Sequence, residues 1–371
     1  MKVRCIVSSA LRSGNGPMVS SRASENINGG FTMRDRFPAS IGVLAAVIVM
    51  VSLVAGPVAG QTPPPAAKTT AAVKTTAGTK WRTPWGDPDL QGSWTNANTT
   101  PLQRPAKYAG REFLTPEERA EQDRQTDIGT DRRGATPERD VEDAYNRFWW
   151  DRGHSDGRTS LIIDPPDGRI PALTPEAQAR LRAFRRRDQQ TAENGSGGPA
   201  DSWEDRSLYE RCIIRGPLPR VSTGYNNNYQ IVQAPGYVTI FQEQMHETRV
   251  VPLDGRPHLD QRIRQWLGDS RGRWEGDTLV VETTNFSDRT NFEGAGRNLH
   301  LIERWNRVGP VKLNYQFTVS DQTTWARPWT AAWVWNAVGP LYEYACHEGN
   351  YGLKGILAGG RAQEKQKDGS R

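Results

Sequence analysis

The chain has 371 residues, with 48 Lys and Arg against 42 Asp and Glu, a net charge of +6 and a pI near 9.3. The excess is local, because residues 1–60 hold six basic and two acidic residues and leave 42 against 40 beyond them. A nearly neutral remainder with no basic stripe interleaved with aromatics argues against nucleic acid as a partner, and Arg185-Arg186-Arg187 closes a predicted helix, where cations complement the macrodipole.

In chain order, residues 1–32 are rich in Ser, Asn and Gly, lack apolar periodicity and read as a non-native or disordered extension. Met33 opens a different pattern: Arg34 and Arg36, then an apolar run at 41–58, then the small residues Ala59-Gly60. That is the order of a secretory signal peptide over 33–60, cleaved near Gly60. The competing reading is a transmembrane anchor, since the run is near the minimum span, but Gly56 and Pro57 interrupt it. Residues 61–80, rich in Pro, Ala and Thr, have little to bury and read as a disordered linker. The mature protein is therefore expected to be periplasmic or secreted, with no stable membrane span, a single domain over 81–361 and a disordered tail over 362–371.

With 36 Gly and 25 Pro, the domain suits many short strands and turns better than helical layers. Residues 90–95 form a short first strand. Leu114-Thr115-Pro116-Glu117-Glu118 predicts a helix with Thr115 as N-cap, Pro116 in the first position and Glu118 completing a capping box. Residues 140–150 predict a second helix, whose Tyr145, Phe148, Trp149 and Trp150 pack on the sheet. A strand over 158–164 stops at Pro165-Pro166-Asp167-Gly168. Leu173-Thr174-Pro175-Glu176 repeats the helix start before 177–187, and 188–202 is a polar loop.

Three runs, 228–253, 273–286 and 299–321, then read as long antiparallel strands joined by turns. In the second, Leu279, Val281 and Thr283 share one face while Thr278, Val280 and Glu282 share the other. In the third, Leu313, Tyr315, Phe317 and Val319 alternate with polar residues after Gly309-Pro310, which predicts a hairpin. A last strand pair is expected between 330–335 and 341–346 about Val338-Gly339-Pro340. The fold class is mainly β: an antiparallel barrel or strongly curved sheet with N-terminal helices packed on it.

Of three cysteines, Cys5 lies in the segment expected to be lost, which leaves Cys212 and Cys346 as a pair in an oxidising compartment. A bridge between them would close a long loop and contribute about 3–5 kcal/mol; two separate buried thiols are the alternative. Thirteen Trp either line a ligand cavity or fill the taper of a barrel. Trp305, Trp333 and Trp335 are the ligand-binding candidates among them, with Gln244, Tyr344 and Tyr351.

The chain has five His. His246 is read inside a strand, so that either Gln242, Gln244 and His246 or Glu243, Glu247 and Arg249 face the interior. Each set can bind a polar ligand or pass a proton, and a solvated strand face is the bland alternative. The run Tyr344-Ala345-Cys346-His347-Glu348 offers His347 with Glu348 as an acid and base, or else a disulfide-anchored bend. Glu303 is a further candidate acid or base. A metal would need His246, His347 and Glu348 or His258 to converge from distant segments without any local ligand spacing, so no metal or other cofactor is expected. No phosphate loop or G-x-S-x-G nucleophile motif is present.

The strings at 83–94 (TPWGDPDLQGSW), 268–286 (GDSRGRWEGDTLVVETTNF) and 342–351 (YEYACHEGNY), together with those at 160–177, 225–240 and 252–258, resemble a family of uncharacterised exported proteins of soil bacteria. The resemblance implies export and a single mature domain, and carries no catalytic residue. Separately, Gly92 two residues before Trp94 in the first strand resembles the opening of lipocalin-type barrels, where the Trp plugs the closed end. The function expected is the holding of a small organic or carbohydrate-like ligand in an aromatic-lined cavity. The alternatives are a lyase or hydrolase using a His/Glu pair with Arg249 stabilising an anion, and a structural envelope protein. Oligomeric state is left open.

Overall fold

In the computed structural model, residues 81–130, 151, 153–182 and 200–369 are described; the expected extension, signal, linker and 140–150 helix lie outside them. The first helix, α1 (Pro116–Thr130), starts as its sequence requires. Thr115 N–H donates to Glu118 Oε2 (2.9 Å) and Glu118 N–H to Thr115 Oγ1 (3.2 Å), closing the capping box. A second helix, α2, runs over 175–182, and Ala177 N–H donates to Thr174 Oγ1 at 3.1 Å.

The strands are β1 (Gly92–Thr95), β2 (Ile162–Asp164), β3 (Asn228–Ala234), β4 (Tyr237–Gln242), β5 (Glu247–Pro252), β6 (Asp269–Glu275), β7 (Thr278–Thr284), β8 (His300–Gly309), β9 (Lys312–Ser320) and β10 (Trp329–Ala337). Their turns carry the residues that turns demand. Pro235-Gly236 joins β3 to β4 with Gly236 at φ +80°, a conformation that costs a glycine nothing.

Hydrogen bonding orders the strands β5-β4-β3-β1-β10-β9-β8-β7-β6, every neighbour antiparallel, with β2 also on β10. The result is a nine-strand antiparallel sheet that nearly closes into a barrel. Alternation along an odd number of strands leaves the two terminal strands pointing the same way. β5 and β6 thus meet side by side in parallel, and no ladder joins them among the described residues. Side chains close this seam along its far half, where β6 carries Gly272. A Cβ there would stand 2.5 Å from Leu253 Cδ2 and 2.8 Å from Val251 Cγ1, so only glycine lets the edges approach.

Inward residues alternate down each strand and fill the barrel. Tyr315 sits among Trp305, Trp333 and Trp335, with ring centroids 4.3, 4.9 and 4.9 Å away, and Tyr229 meets Trp335 at 4.5 Å. All are buried. Rings at this spacing combine a large buried apolar area with favourable edge and offset contacts.

One end is plugged by the extended segment before β1. The Arg307 guanidinium lies 5.3 Å from the ring centroids of both Trp81 and Trp94, and Gln233 ties the segment down by accepting from Leu90 N–H (2.7 Å) and donating to Pro88 O (3.0 Å). At the other end, Phe292 of the β7–β8 loop and Trp325 of the β9–β10 loop each pack on Trp329 at the start of β10, under the approach to α2. The mouth beside the first residues of β5 and β6 is left uncapped.

Three sequence expectations change. The run 228–253 is two strands and then a third, because the chain breaks at 243–246, and His246 lies in that break rather than in a strand. Residues 341–346 form no strand: both edges of β10 are already taken, by β9 on one side and by β1 and β2 on the other. The segment is held instead by its disulfide and by Tyr342 N–H on Glu243 Oε1 (3.1 Å). Finally, residues 362–369, expected as tail, continue helix α3 (Gly352–Gly369). Ala362-Gln363-Glu364-Lys365 are good helix formers, and Arg361 fastens the helix by donating to Ala200 O (2.7 Å) and Asp201 O (2.8 Å). Among the described residues no helix is long and apolar enough to cross a membrane.

Candidate functional site

Where β5 and β6 both begin, the seam widens into a cleft of about 710 Å³. Residues 245–250 form one wall, residues 264–270 the other, and Ile213, Ile214 and Ser287 complete the lining. The topology accounts for its position: a sheet that runs out of antiparallel partners leaves its gap here, and the 253–268 connection must cross it to start β6 parallel to β5.

The break at 243–246 shapes the first wall. Met245 and His246 take φ of +64° and +43°, a left-handed pair that no glycine relieves. It is held because Met245 is buried against Cys212, Tyr344 and Tyr209, around the Cys212–Cys346 disulfide (Cα–Cα 5.8 Å). The break also resets the strand's phase. Gln242, Glu247 and Arg249 all point inward, while the His246 side chain is left exposed at the mouth.

The buried charges behind the cleft are each answered. Glu247 accepts from the Arg215 backbone N–H and from the Arg220 guanidinium. On the opposite strand, Glu303 takes both Arg249 nitrogens at 2.5 and 3.1 Å and the Tyr315 hydroxyl at 2.8 Å. Burial works against the charge of Arg249, yet the paired Glu303 raises its pKa overall. Burial, reinforced by Glu303, pushes the Tyr315 phenol well above its usual range, and burial does the same to Tyr229. Both phenols therefore stay neutral. On the second wall, Asp269 accepts from Leu259 N–H (2.9 Å) and Arg271 Nη1 (2.7 Å) and meets His258 Nδ1 at 3.0 Å.

The cleft thus gathers His246, Glu247 and Arg249 from among the predicted residues. Gln244 is buried beside it and accepts from Arg215 Nε at 3.0 Å. Glu303 lies behind it, in the barrel interior. Glu247, as acceptor to two donors, is an anchor, which leaves His246 without a free carboxylate partner in sequence. His347 and Glu348 are exposed on the segment beyond the disulfide and do not line the cleft, and Tyr351 is 78% exposed. Tyr344 is buried, with its hydroxyl 3.2 Å from that of Tyr209. Trp305, Trp333 and Trp335 form the packed interior. Among the described residues no group of three or more His, Cys, Asp or Glu is placed to hold a metal.

Sequence reading passed over Arg215, Arg220, Arg264, Trp266 and Asp269. The available signal was Trp266, a large aromatic in the polar connection Arg262-Ile263-Arg264-Gln265, where a chain with nothing to cover has no reason to place one. No protein-family model matches the chain, and no curated protein matches it.

Proposed function

We propose that this is an exported protein that binds a small organic, carbohydrate-like ligand in the seam cleft. The observation that carries the reading is a cleft of about 710 Å³ set in a gap of the ladder, large enough for a small ligand, with a 37%-exposed Trp266 face on one wall. A flat aromatic face beside Gln265, Ser287 and exposed His246 combines stacking with adaptable hydrogen bonding, the pairing that ring-shaped polar ligands require. The interior Trp and Tyr residues and the Arg249–Glu303 pair support it as a rigid floor. The disulfide supports export, since such bonds persist in oxidising compartments.

Native mass spectrometry of the mature protein, residues 61–371, isolated from its own periplasm, tests this. A discrete excess mass that is lost on denaturation, and absent from Trp266→Ala, is the expected result. A bare polypeptide mass from every preparation, with no ligand taken up from a periplasmic extract, would overturn it.

A further inference from the structure

The charges lining the cleft do not balance. Glu247 is answered by Arg220, Arg249 by Glu303, and Asp269 by Arg271. Arg264, the remaining charged lining residue, has no carboxylate within salt-bridge distance among the described residues. Among the described residues its one hydrogen bond is Nη1 donating to the Arg297 backbone carbonyl at 2.7 Å. Arg215, whose backbone caps Glu247 next to the cleft, is in the same position: its guanidinium donates to the neutral Gln244 and lies 4.8 Å from the Tyr209 ring centroid. A half-buried guanidinium with no counter-ion is stabilised by an anion that arrives beside it.

We infer that the cleft selects ligands that carry a carboxylate, with Arg264 as its anchor and Trp266 as the stacking face for the attached ring. This rests on the reading of the cleft as a binding site and narrows it from polar rings in general to acidic ones, such as sugar acids. Arg264 supplies a planar fork that fits a carboxylate, and Arg215 adds to the positive potential at the cleft edge. The buried carboxylates do not oppose it, since each is already neutralised by its own arginine.

Calorimetric titration of the mature chain with D-glucuronate and D-glucose, rings that differ by a carboxylate in place of a hydroxymethyl group, tests the inference. Glucuronate is expected to bind about tenfold tighter or better, as a charge-assisted pair provides, with a preference that shrinks in high salt. Arg264→Gln should abolish the preference, Arg264→Lys should keep part of it, and Trp266→Ala should weaken both sugars alike. Near-UV circular dichroism confirms that each variant retains native packing. Equal affinity for the two sugars, or a preference untouched by Arg264→Gln, would overturn the selectivity for acids while leaving the cleft as a binding site. Binding of neither sugar would also overturn it, and the retained-mass measurement then decides separately whether the cleft holds a ligand at all.

Discussion

Arg249 on β5 and Glu303 on β8 join the two sides of the seam through the barrel interior, with both guanidinium nitrogens on the carboxylate at 2.5 and 3.1 Å. The strands they belong to are the first and the seventh along the hydrogen-bonded order, so this contact ties the edge strand β5 across the interior to a strand with which it shares no ladder. Removing one partner strands the other in a dry interior. Glu303→Gln is expected to lower stability by about 3–5 kcal/mol, whereas Arg249→Met with Glu303→Leu should recover most of that loss. Urea unfolding of the three proteins checks this; a Glu303→Gln variant as stable as wild type would show the pair to be dispensable.

Gly272 predicts the tightness of the closed half of the seam. Gly272→Ala puts a methyl into the space of Leu253 and Val251 and should cost about 1–3 kcal/mol through overpacking. Hydrogen exchange should rise first in β5 and β6, which have no shared ladder to resist separation. Uniform exchange across the sheet would instead mean that the edges do not yield locally.

His246 pairs strain with exposure. A glycine at its φ of +43° removes the left-handed penalty of about 1–2 kcal/mol and adds back about 0.5–1 kcal/mol of backbone entropy. His246→Gly should therefore hold or raise the melting temperature, while Thr248→Gly, in the adjoining strand, should lower it. If His246 touches the ligand, the same substitution weakens binding despite the gain in stability.

Alkali should unfold the protein by a definable route. Tyr315 and Tyr229 have raised pKa values in the folded state, while the unfolded chain ionises near the ordinary 10.0. Their stability contribution is intact below pH 10.0 and is lost as pH rises beyond it, by about 1.4 kcal/mol per pH unit for each phenol. Thermal melts from pH 9 to 12 should fall steeply above the ordinary tyrosine value, and a flat profile there would contradict the buried, neutral state of both rings.

Local chemistry made much of this architecture legible. Thr115 and Glu118 announced a helix start, Gly309-Pro310 a hairpin and the 278–284 alternation a strand, because each is decided by neighbours within a few residues. Cys212 and Cys346 paired as their isolation implied. The cleft was not legible, for reasons that are equally physical. His246 sits in a run with strand periodicity, and only tertiary pressure on Met245 from the disulfide cluster forces the left-handed break that exposes it. Arg220 and Glu247 are far apart in the chain and meet through the barrel's interior, and no periodicity records such a meeting. The strand partner expected for 341–346 failed because β10 had no vacant edge, a fact that belongs to the whole sheet and not to the segment.

The odd strand number has a mechanical consequence. A fully laddered barrel has a fixed girth, since widening it anywhere means breaking backbone hydrogen bonds. Here the circumference contains an expansion joint, since among the described residues no ladder joins β5 to β6 and side chains such as Leu253 and Val251 close on Gly272 instead. The wall can part there by a small amount at the price of side-chain contacts alone, while the eight ladders that join the nine strands keep their register.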